Sequence, residues 1–186
     1  MHPRLAELVD YAQIQRHQLF TALTMVPDVL RDRRTDPSTW SVGEVLEHLH
    51  LVESGIARLF THRVQRARDT GAQPEREVGS LMSSLDAFRL TSRMSPMSAP
   101  DSVLPRGELT AIQVITALEQ SRQDLLVAVR AGDGLALGKL TYTHPLLGTL
   151  NLYQWILFVG QHEARHAKQI THIGRQLAVE ADNPDR

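Results

Sequence analysis

The sequence predicts an all-α protein that folds as an up-and-down four-helix bundle. Three observations support this fold class: four stretches in which apolar residues recur every three to four positions, turn-forming residues between those stretches, and almost no strand-like alternation. The chain has 186 residues, of which 42% are hydrophobic, which is enough to bury one core. We therefore expect a single domain that spans residues 1–186.

The first two predicted helices are separated by a polar connector. The first extends from about Leu5 to Leu30, and Pro27 is expected to bend it or end it early, because proline disrupts a helix interior. The second begins at Ser41, whose hydroxyl suits an N-cap, with Glu44 at the capping-box position three residues later. This helix continues to about Arg68.

The middle of the chain, residues 76–107, is expected to be an irregular connector, because serine, methionine, proline and glycine recur there. A short helix is predicted inside it near residues 81–90. The third long helix starts from a Thr110 cap and continues to about Ala131, where glycines follow.

The fourth helix follows an Asn151 cap and continues to about Ala178, a length of about 40 Å at about 1.5 Å per residue. The segment before it, residues 135–150, contains β-branched residues but is predicted to be too short for a sheet. Four amphipathic helices without a strand-rich region favour a helical bundle.

Composition excludes several functional classes. Lys and Arg number 20 against 21 Asp and Glu, and this balance argues against a nucleic-acid binder, which would carry a basic excess. The absence of cysteine excludes disulfides, thiolate-bound metals and a thiol nucleophile. The longest apolar run, residues 150–160, is too short to cross a membrane, and the N-terminal residues lack the apolar core of a signal peptide, so we expect a cytoplasmic protein.

Without cysteine, a metal site would depend on the nine histidines, on carboxylates or on backbone oxygens. The predicted fourth helix contains HEARH, in which His162 and His166 lie about 40° apart around the helix axis and about 6 Å along it. Both fall within the apolar stripe that includes Trp155 and Ile173. One interpretation is that both are core histidines bonded to backbone or water. Two imidazoles at ligand spacing on a buried face instead favour a metal site, because unpaired imidazoles are costly to bury. Such a site needs a third ligand.

The predicted second helix offers two candidates for this third ligand. His48 lies about 80° from the centre of its apolar stripe and His50 about 120°, so the helical phase favours His48. His50 is expected at the boundary with solvent. Three other histidines have no ligand-like neighbours and are expected at the surface: His2, His17 and His62.

HEARH also matches the H-E-x-x-H signature of zinc peptidases, in which the glutamate, here Glu163, is the general base. The longer form of that signature would use His172 as third ligand, but it needs a glycine where this chain has Gln169. On a continuous helix His172 lies about 120° from His166, which is why the peptidase interpretation is the least favoured.

Three segments in fixed order resemble the DinB-like family, also called YfiT-like: WSVGEVLEHL, HPLLG and WILFVGQHEARHAKQI. More narrowly, they resemble its subgroup with a His-Pro-x-x-Gly turn before the last long helix. The resemblance extends from Trp40 to Ile173, with the middle segment unmatched. It implies a four-helix bundle, often a homodimer, in which three histidines bind a divalent metal ion, zinc by expectation and nickel as the alternative.

The resemblance also implies which histidines are the ligands. The first family ligand follows the tryptophan by eight positions and is His48 here, and the other two match His162 and His166. Gln169 lies on the same stripe and is expected to bond a ligand or a group that surrounds the metal ligands, unless it only makes a hydrogen bond in helix packing. His144 and Tyr142 are expected to rim the pocket.

Three neutral imidazoles leave an open coordination position, which is typical of catalytic zinc. The relatives that the resemblance implies include metal-dependent hydrolases and transferases of low-molecular-weight thiols such as bacillithiol or mycothiol. We therefore expect hydrolysis or thiol transfer on a small-molecule substrate. No catalytic residue is assigned. Any thiol would come from the substrate. The alternative is a non-catalytic, metal-containing ligand-binding or stress-response bundle, which a fourth protein ligand such as His144 or Glu44 would favour.

Overall fold

The computed structural model describes residues 1–92 and 98–182. Four long helices account for most of the described chain, with one β-hairpin before the last of them. The helices are α1 (Pro3–Thr24), α2 (Val42–Asp69), α3 (Ala111–Ala131) and α4 (Leu152–Asp182), and the strands are β1 (Thr141–His144) and β2 (Gly148–Asn151). None of these helices, within the described residues, is long and apolar enough to cross a membrane.

The four helices form a bundle, as predicted, but their directions differ from strict alternation. Helices α1 and α4 are parallel, because their first turns share one core cluster, which includes Leu5 and Leu152, and their later turns share a second cluster, which includes Leu23 and Ile173. Between these two clusters Arg16 pairs with Glu163. Helices α2 and α3 are also parallel to each other and antiparallel to the first pair, so the order is up, down, down, up. The physical reason is the connector of residues 70–110, which is long enough to return along the roughly 42 Å of α2 before α3 begins.

The beginning of α2 is built as the sequence predicts. The Ser41 hydroxyl accepts a hydrogen bond from the Glu44 backbone N–H at 3.2 Å, and the Glu44 carboxylate accepts one from the Ser41 N–H at 2.8 Å. This reciprocal pair satisfies two N–H groups that the first turn would leave unpaired. Helix α1 ends at Thr24, earlier than the predicted Leu30, and Pro27 leads into a short 3₁₀ turn.

Two predictions about the connecting segments were wrong. Residues 141–151 form a two-stranded antiparallel hairpin, because two strands of four residues can pair with each other across a tight turn without a larger sheet. Gly148 has a φ of 77°, which suits that turn. The short helix expected near residues 81–90 is reduced to a 3₁₀ turn at Asp86–Phe88, anchored by the buried side chains of Leu85 and Leu90.

A buried network of four charged side chains crosses the centre of the bundle, and each helix contributes one of them. Arg16 of α1 donates to Glu53 of α2 at 2.7 Å and to Glu163 of α4 at 2.6 Å. Arg122 of α3 donates to the same two carboxylates at 2.5 and 2.8 Å. The network fixes the relative depth of all four helices, because every charge must meet its partner away from water.

Candidate metal centre

Three histidines from two helices meet at one point of the bundle. His48 projects from α2, and His162 and His166 project from successive turns of α4. The Nε2 atom of His162 lies 3.2 Å from that of His48 and 3.0 Å from that of His166. One nitrogen from each residue lies within 4.8 Å of the other two, so these three side chains could hold a metal ion.

Hydrogen bonds on the opposite side of the rings determine which nitrogen carries the proton. The Nδ1–H of His48 donates to the Val103 carbonyl at 2.8 Å, and the Nδ1–H of His166 donates to Gln169 Oε1 at 2.8 Å. In a neutral ring the Nε2 atom is then the nitrogen without a proton, and it can act as an acceptor or as a metal ligand. The lone pairs of both rings therefore face the centre of the cluster, as in metal sites whose ligands are oriented by outer hydrogen bonds.

The donor chemistry fits a divalent ion. Two imidazole nitrogens bound tetrahedrally at about 2.0–2.1 Å lie about 3.3 Å apart, close to the 3.2 and 3.0 Å found here. Burial lowers the pKa of His48 and lowers that of His162 well below its ordinary value, and both effects keep the rings neutral. Ring nitrogens that converge in this way suit a cation, which can accept their lone pairs together.

Aromatic side chains support the ring positions. Phe158, one turn before His162 on α4, stacks on its ring with centroids 5.1 Å apart and an angle of 16° between the planes. The Trp40 ring lies 5.1 Å from that of His48. These contacts restrict ring rotation, so the Nε2 atoms are held in place before any ion binds.

The cluster opens onto a cavity of about 1040 Å³, large enough for a small organic molecule. Its wall includes the three residues that the sequence predicts for the pocket, Gln169, His144 and Tyr142, and also both tryptophans of the chain.

His144 lies against the aromatic wall of this cavity and outside the three-histidine cluster. Its ring lies between Trp155 and Phe158, and its Nδ1 accepts hydrogen bonds from the backbone N–H groups of Leu146 and Leu147 at 3.1 and 3.2 Å. Burial lowers the pKa of His144 to about 4, so the ring is neutral at pH 7. Its one ring proton therefore resides on Nε2.

Neither candidate for a fourth protein ligand is part of the metal cluster in the portion of the chain that the structure describes. The Nδ1 of His144 is committed to its own turn. The Glu44 carboxylate is paired with Arg34 and with the Ser41 N–H.

The residues required by the peptidase interpretation do not come together. Glu163, the would-be general base, is buried and directed at Arg16 and Arg122, and it does not line the cavity. His172 is exposed on α4. His50 is partly buried beside Ser54, which agrees with its predicted place at the boundary with solvent.

The remaining histidines are at or near the surface. His17 and His62 are exposed, and His2 is partly buried, with its Nδ1 enclosed. His62 also lines the cavity, which the sequence analysis did not predict.

Two groups of site residues were missed. Val103 lies in the connector without periodicity, so nothing in the sequence pointed to its carbonyl. The arginines Arg58, Arg63 and Arg66 also line the cavity. Extending the face of α2 from His48 at three- and four-residue steps would have indicated this stretch.

Comparisons with known proteins identify the family and support the fold. A model of the DinB superfamily matches residues 11–170. The uncharacterized protein YuaE of Bacillus subtilis (strain 168) is 24% identical over 163 residues, which cover 87% of this chain and 94% of YuaE. The crystal structure of TT2238, a four-helix bundle protein, superposes with a TM-score of 0.60 at 20% identity, covering 90% of this chain and 98% of TT2238, and this likeness supports the fold. The subgroup with the His-Pro-x-x-Gly turn stays a prediction. Because the family model covers most of its length, the chain belongs to the DinB superfamily.

Proposed function

We propose that the chain is a metal-dependent enzyme that acts on a small molecule by hydrolysis or by transfer of a low-molecular-weight thiol. His48, His162 and His166 would hold the ion, with zinc expected and nickel as the alternative, since imidazole suits both. The observation that carries the proposal is the convergence of three Nε2 atoms at the wall of a cavity of about 1040 Å³.

When bound, a divalent ion supplies a Lewis acid with an open coordination position. The chain's own contribution is orientation. Val103 and Gln169 fix the tautomers of His48 and His166, and Phe158 fixes the ring of His162. Apolar and aromatic side chains form much of the cavity wall, and a wall of low polarity strengthens polar interactions beside it.

A catalytic role is favoured over a purely structural ion because the described residues offer three ligands and no fourth. Structural zinc sites are usually closed by four protein ligands, whereas catalytic sites keep one position for a substrate or water. The side chain of His144 adds a neutral N–H donor among the cavity residues, which suits the orientation of a polar substrate group.

The metal part of the proposal is tested by elemental analysis of protein purified without an affinity tag. We expect roughly one zinc or nickel ion per chain in the wild type, and loss of the ion in His162→Ala. His50→Ala removes a histidine outside the cluster and should keep the ion. Less than about a tenth of an equivalent in the wild type, without uptake on titration, would contradict the proposal.

The catalytic part needs a separate test. Metal-loaded and chelated protein would be incubated with esters and amides for hydrolysis, and with pairs of small thiols and electrophiles for transfer. We expect turnover that disappears on chelation and returns when the ion is restored. A loaded protein that turns over none of these compounds would favour the non-catalytic, ligand-binding alternative.

A further inference from the structure

The described part of the cavity wall carries more positively than negatively charged side chains. Among the described residues that line it are four arginines, Arg58, Arg63, Arg66 and Arg165, and no aspartate or glutamate. The whole chain has a net charge of −1, so this segregation is a local property of the cavity. A concave surface of one charge sign concentrates ligands of the opposite sign.

Three of these arginines are on the helix that supplies His48. The α2 residues that line the cavity recur at three- and four-residue steps from His48 to Arg66. Arg58 and Arg63 lie next to this row of residues and also line the cavity. Along the axis, Arg58 lies about 15 Å and Arg63 about 22 Å from His48. Helix α2 therefore presents one histidine of the metal cluster at one end of the cavity and a group of cations towards the other end.

The part of the chain that the structure describes provides no carboxylate partner for these three guanidinium groups. Within the described portion of the chain, no carboxylate lies at ion-pair distance from Arg58, Arg63 or Arg66. Arg63 is partly buried, and its guanidinium lies 5.0 Å from the centre of the Tyr142 ring, which holds it near the wall. Arg165 differs, because it donates to the carbonyls of Leu90 and Ser92 and so fastens the connector.

We propose that the cavity binds an anionic small molecule, with a carboxylate or phosphate group held by Arg58, Arg63 and Arg66. The other end of that molecule would carry the reacting group to the three-histidine centre. Side chains between the two ends, including Val52, Ile56 and Leu59, are apolar, so the middle of the ligand should be apolar too. The placement of the ligand's reacting group at the histidines rests on the proposed function. Binding of the anionic group by the three arginines needs no metal.

The anion site is tested with three compounds of equal chain length: octanoate, octyl phosphate and the neutral octanol. Their affinities would be measured by titration calorimetry with metal-loaded and with chelated wild type. We expect both anions to bind about tenfold more tightly than octanol in both forms, the sum of three solvent-screened ion pairs. The difference should shrink as salt is added, and a stronger preference for the phosphate would identify the anion.

Two triple variants assign the effect. Replacement of Arg58, Arg63 and Arg66 by Gln should abolish the preference for anions and leave octanol binding unchanged. The matched control replaces Arg76, Arg130 and Arg175 by Gln, which removes the same charge from exposed positions outside the cavity, and it should keep the preference. Equal binding of all three compounds, no binding of the anions, or equal loss in both triple variants would overturn the proposal.

The metal contribution is separated by a longer matched pair, 12-mercaptododecanoate and dodecanoate, because an eight-carbon chain is shorter than the separation of about 15–22 Å along α2. On metal-loaded protein the thiol should bind more tightly than dodecanoate, and the gain should vanish on chelation. An anion preference that disappears on chelation but survives the cavity triple variant would place the anion on the ion and overturn the arginine site. A chain that binds no metal but retains the preference would contradict the proposed function alone.

Discussion

The Nδ1–H of His48 and the carbonyl of Val103 are joined by a 2.8 Å hydrogen bond between α2 and the connector that precedes α3. The same connector is anchored by Glu47, whose carboxylate accepts backbone N–H groups of Arg106 and Gly107 at 3.1 and 2.9 Å. Two consecutive residues of α2 therefore have different tasks. His48 belongs to the metal cluster, and Glu47 holds the connector backbone whose carbonyl orients the His48 ring.

We predict that Glu47→Ala weakens metal binding although Glu47 is not a ligand. Loss of the carboxylate releases the backbone near Val103, and loss of an outer partner commonly costs about 10–100-fold in metal affinity. Competition with a coloured chelator would measure the change, and Glu119→Ala on the exposed face of α3 is the control. Equal affinities in Glu47→Ala and wild type would show that the connector does not orient His48.

Gln169 provides a second outer contact, to His166. Gln169→Leu removes the acceptor, and we expect about 10–100-fold weaker metal binding, whereas Gln169→Glu supplies a charged acceptor and should restore or exceed the wild-type affinity. Gln176→Leu, at an exposed site two turns later on α4, is the control in the same chelator competition. If Leu and Glu at position 169 give the same affinity, the hydrogen bond has no influence on the ion.

Acid should destabilise the metal-free protein in part through His144. Its pKa is lowered to about 4, below its ordinary value of 6.5, so the unfolded chain binds the proton more readily than the folded chain. This contribution to stability is complete above about pH 6.5 and is lost as the pH falls towards 4. Urea unfolding at pH 7 and pH 5 should show a smaller loss for His144→Asn, which keeps an acceptor for the turn but does not titrate. An identical loss in both proteins would argue against the shifted pKa.

Two glycines should respond to alanine in opposite ways. At Gly160 of α4 a Cβ atom would lie 2.6 and 2.7 Å from Tyr11 ring carbons and 3.3 Å from the Ala12 Cα, so Gly160→Ala should lower the free energy of unfolding by about 1–3 kcal/mol. At Gly55 of α2 nothing lies within 4 Å, and Gly55→Ala should raise it by up to about 1 kcal/mol. Urea titration of both variants measures these changes. A Gly160→Ala protein with the same free energy of unfolding as the wild type would contradict the close approach of α1 and α4.

Removal of one cation from the central network should be costly. Among the described residues, Arg122→Met leaves Arg16 as the one cation beside Glu53 and Glu163, and breaking a buried pair in this way costs about 3–5 kcal/mol. Arg130→Met, at an exposed position of α3, should change the free energy of unfolding by about 0.5 kcal/mol or less. Similar values for both variants would show that the four charges do not stabilise the bundle.

Periodicity and capping chemistry were sufficient to predict four helices, the Ser41 cap and the placement of His162 and His166 on the core side of α4. They were less informative for α2, where all residues from Val42 to Leu49 are buried. The connector covers the face that the apolar stripe leaves open, so helical phase alone understated the burial of His48.

Other features could not be predicted because they depend on partners far away in the chain. The hairpin before α4 forms by pairing of two short segments, and the β-branched residues in them do not show by themselves that they pair. The direction of α3 depends on the path of the connector before it, which has no apolar periodicity. The buried network joins Arg16, Glu53, Arg122 and Glu163, each of which resembles a surface charge within its own helix. Only the assembled bundle shows that they share one layer.

The parallel pairing of α1 with α4 has a consequence for the order of assembly. The ion pair between Arg16 and Glu163 joins residues 147 positions apart, so the bundle closes through contacts that are distant in the sequence. Contacts of this kind form slowly, since the intervening chain must first be ordered. During synthesis His48 emerges long before His162 and His166, and the three-histidine cluster cannot exist until the last helix has docked. Metal capture by the cluster would therefore report completion of the fold.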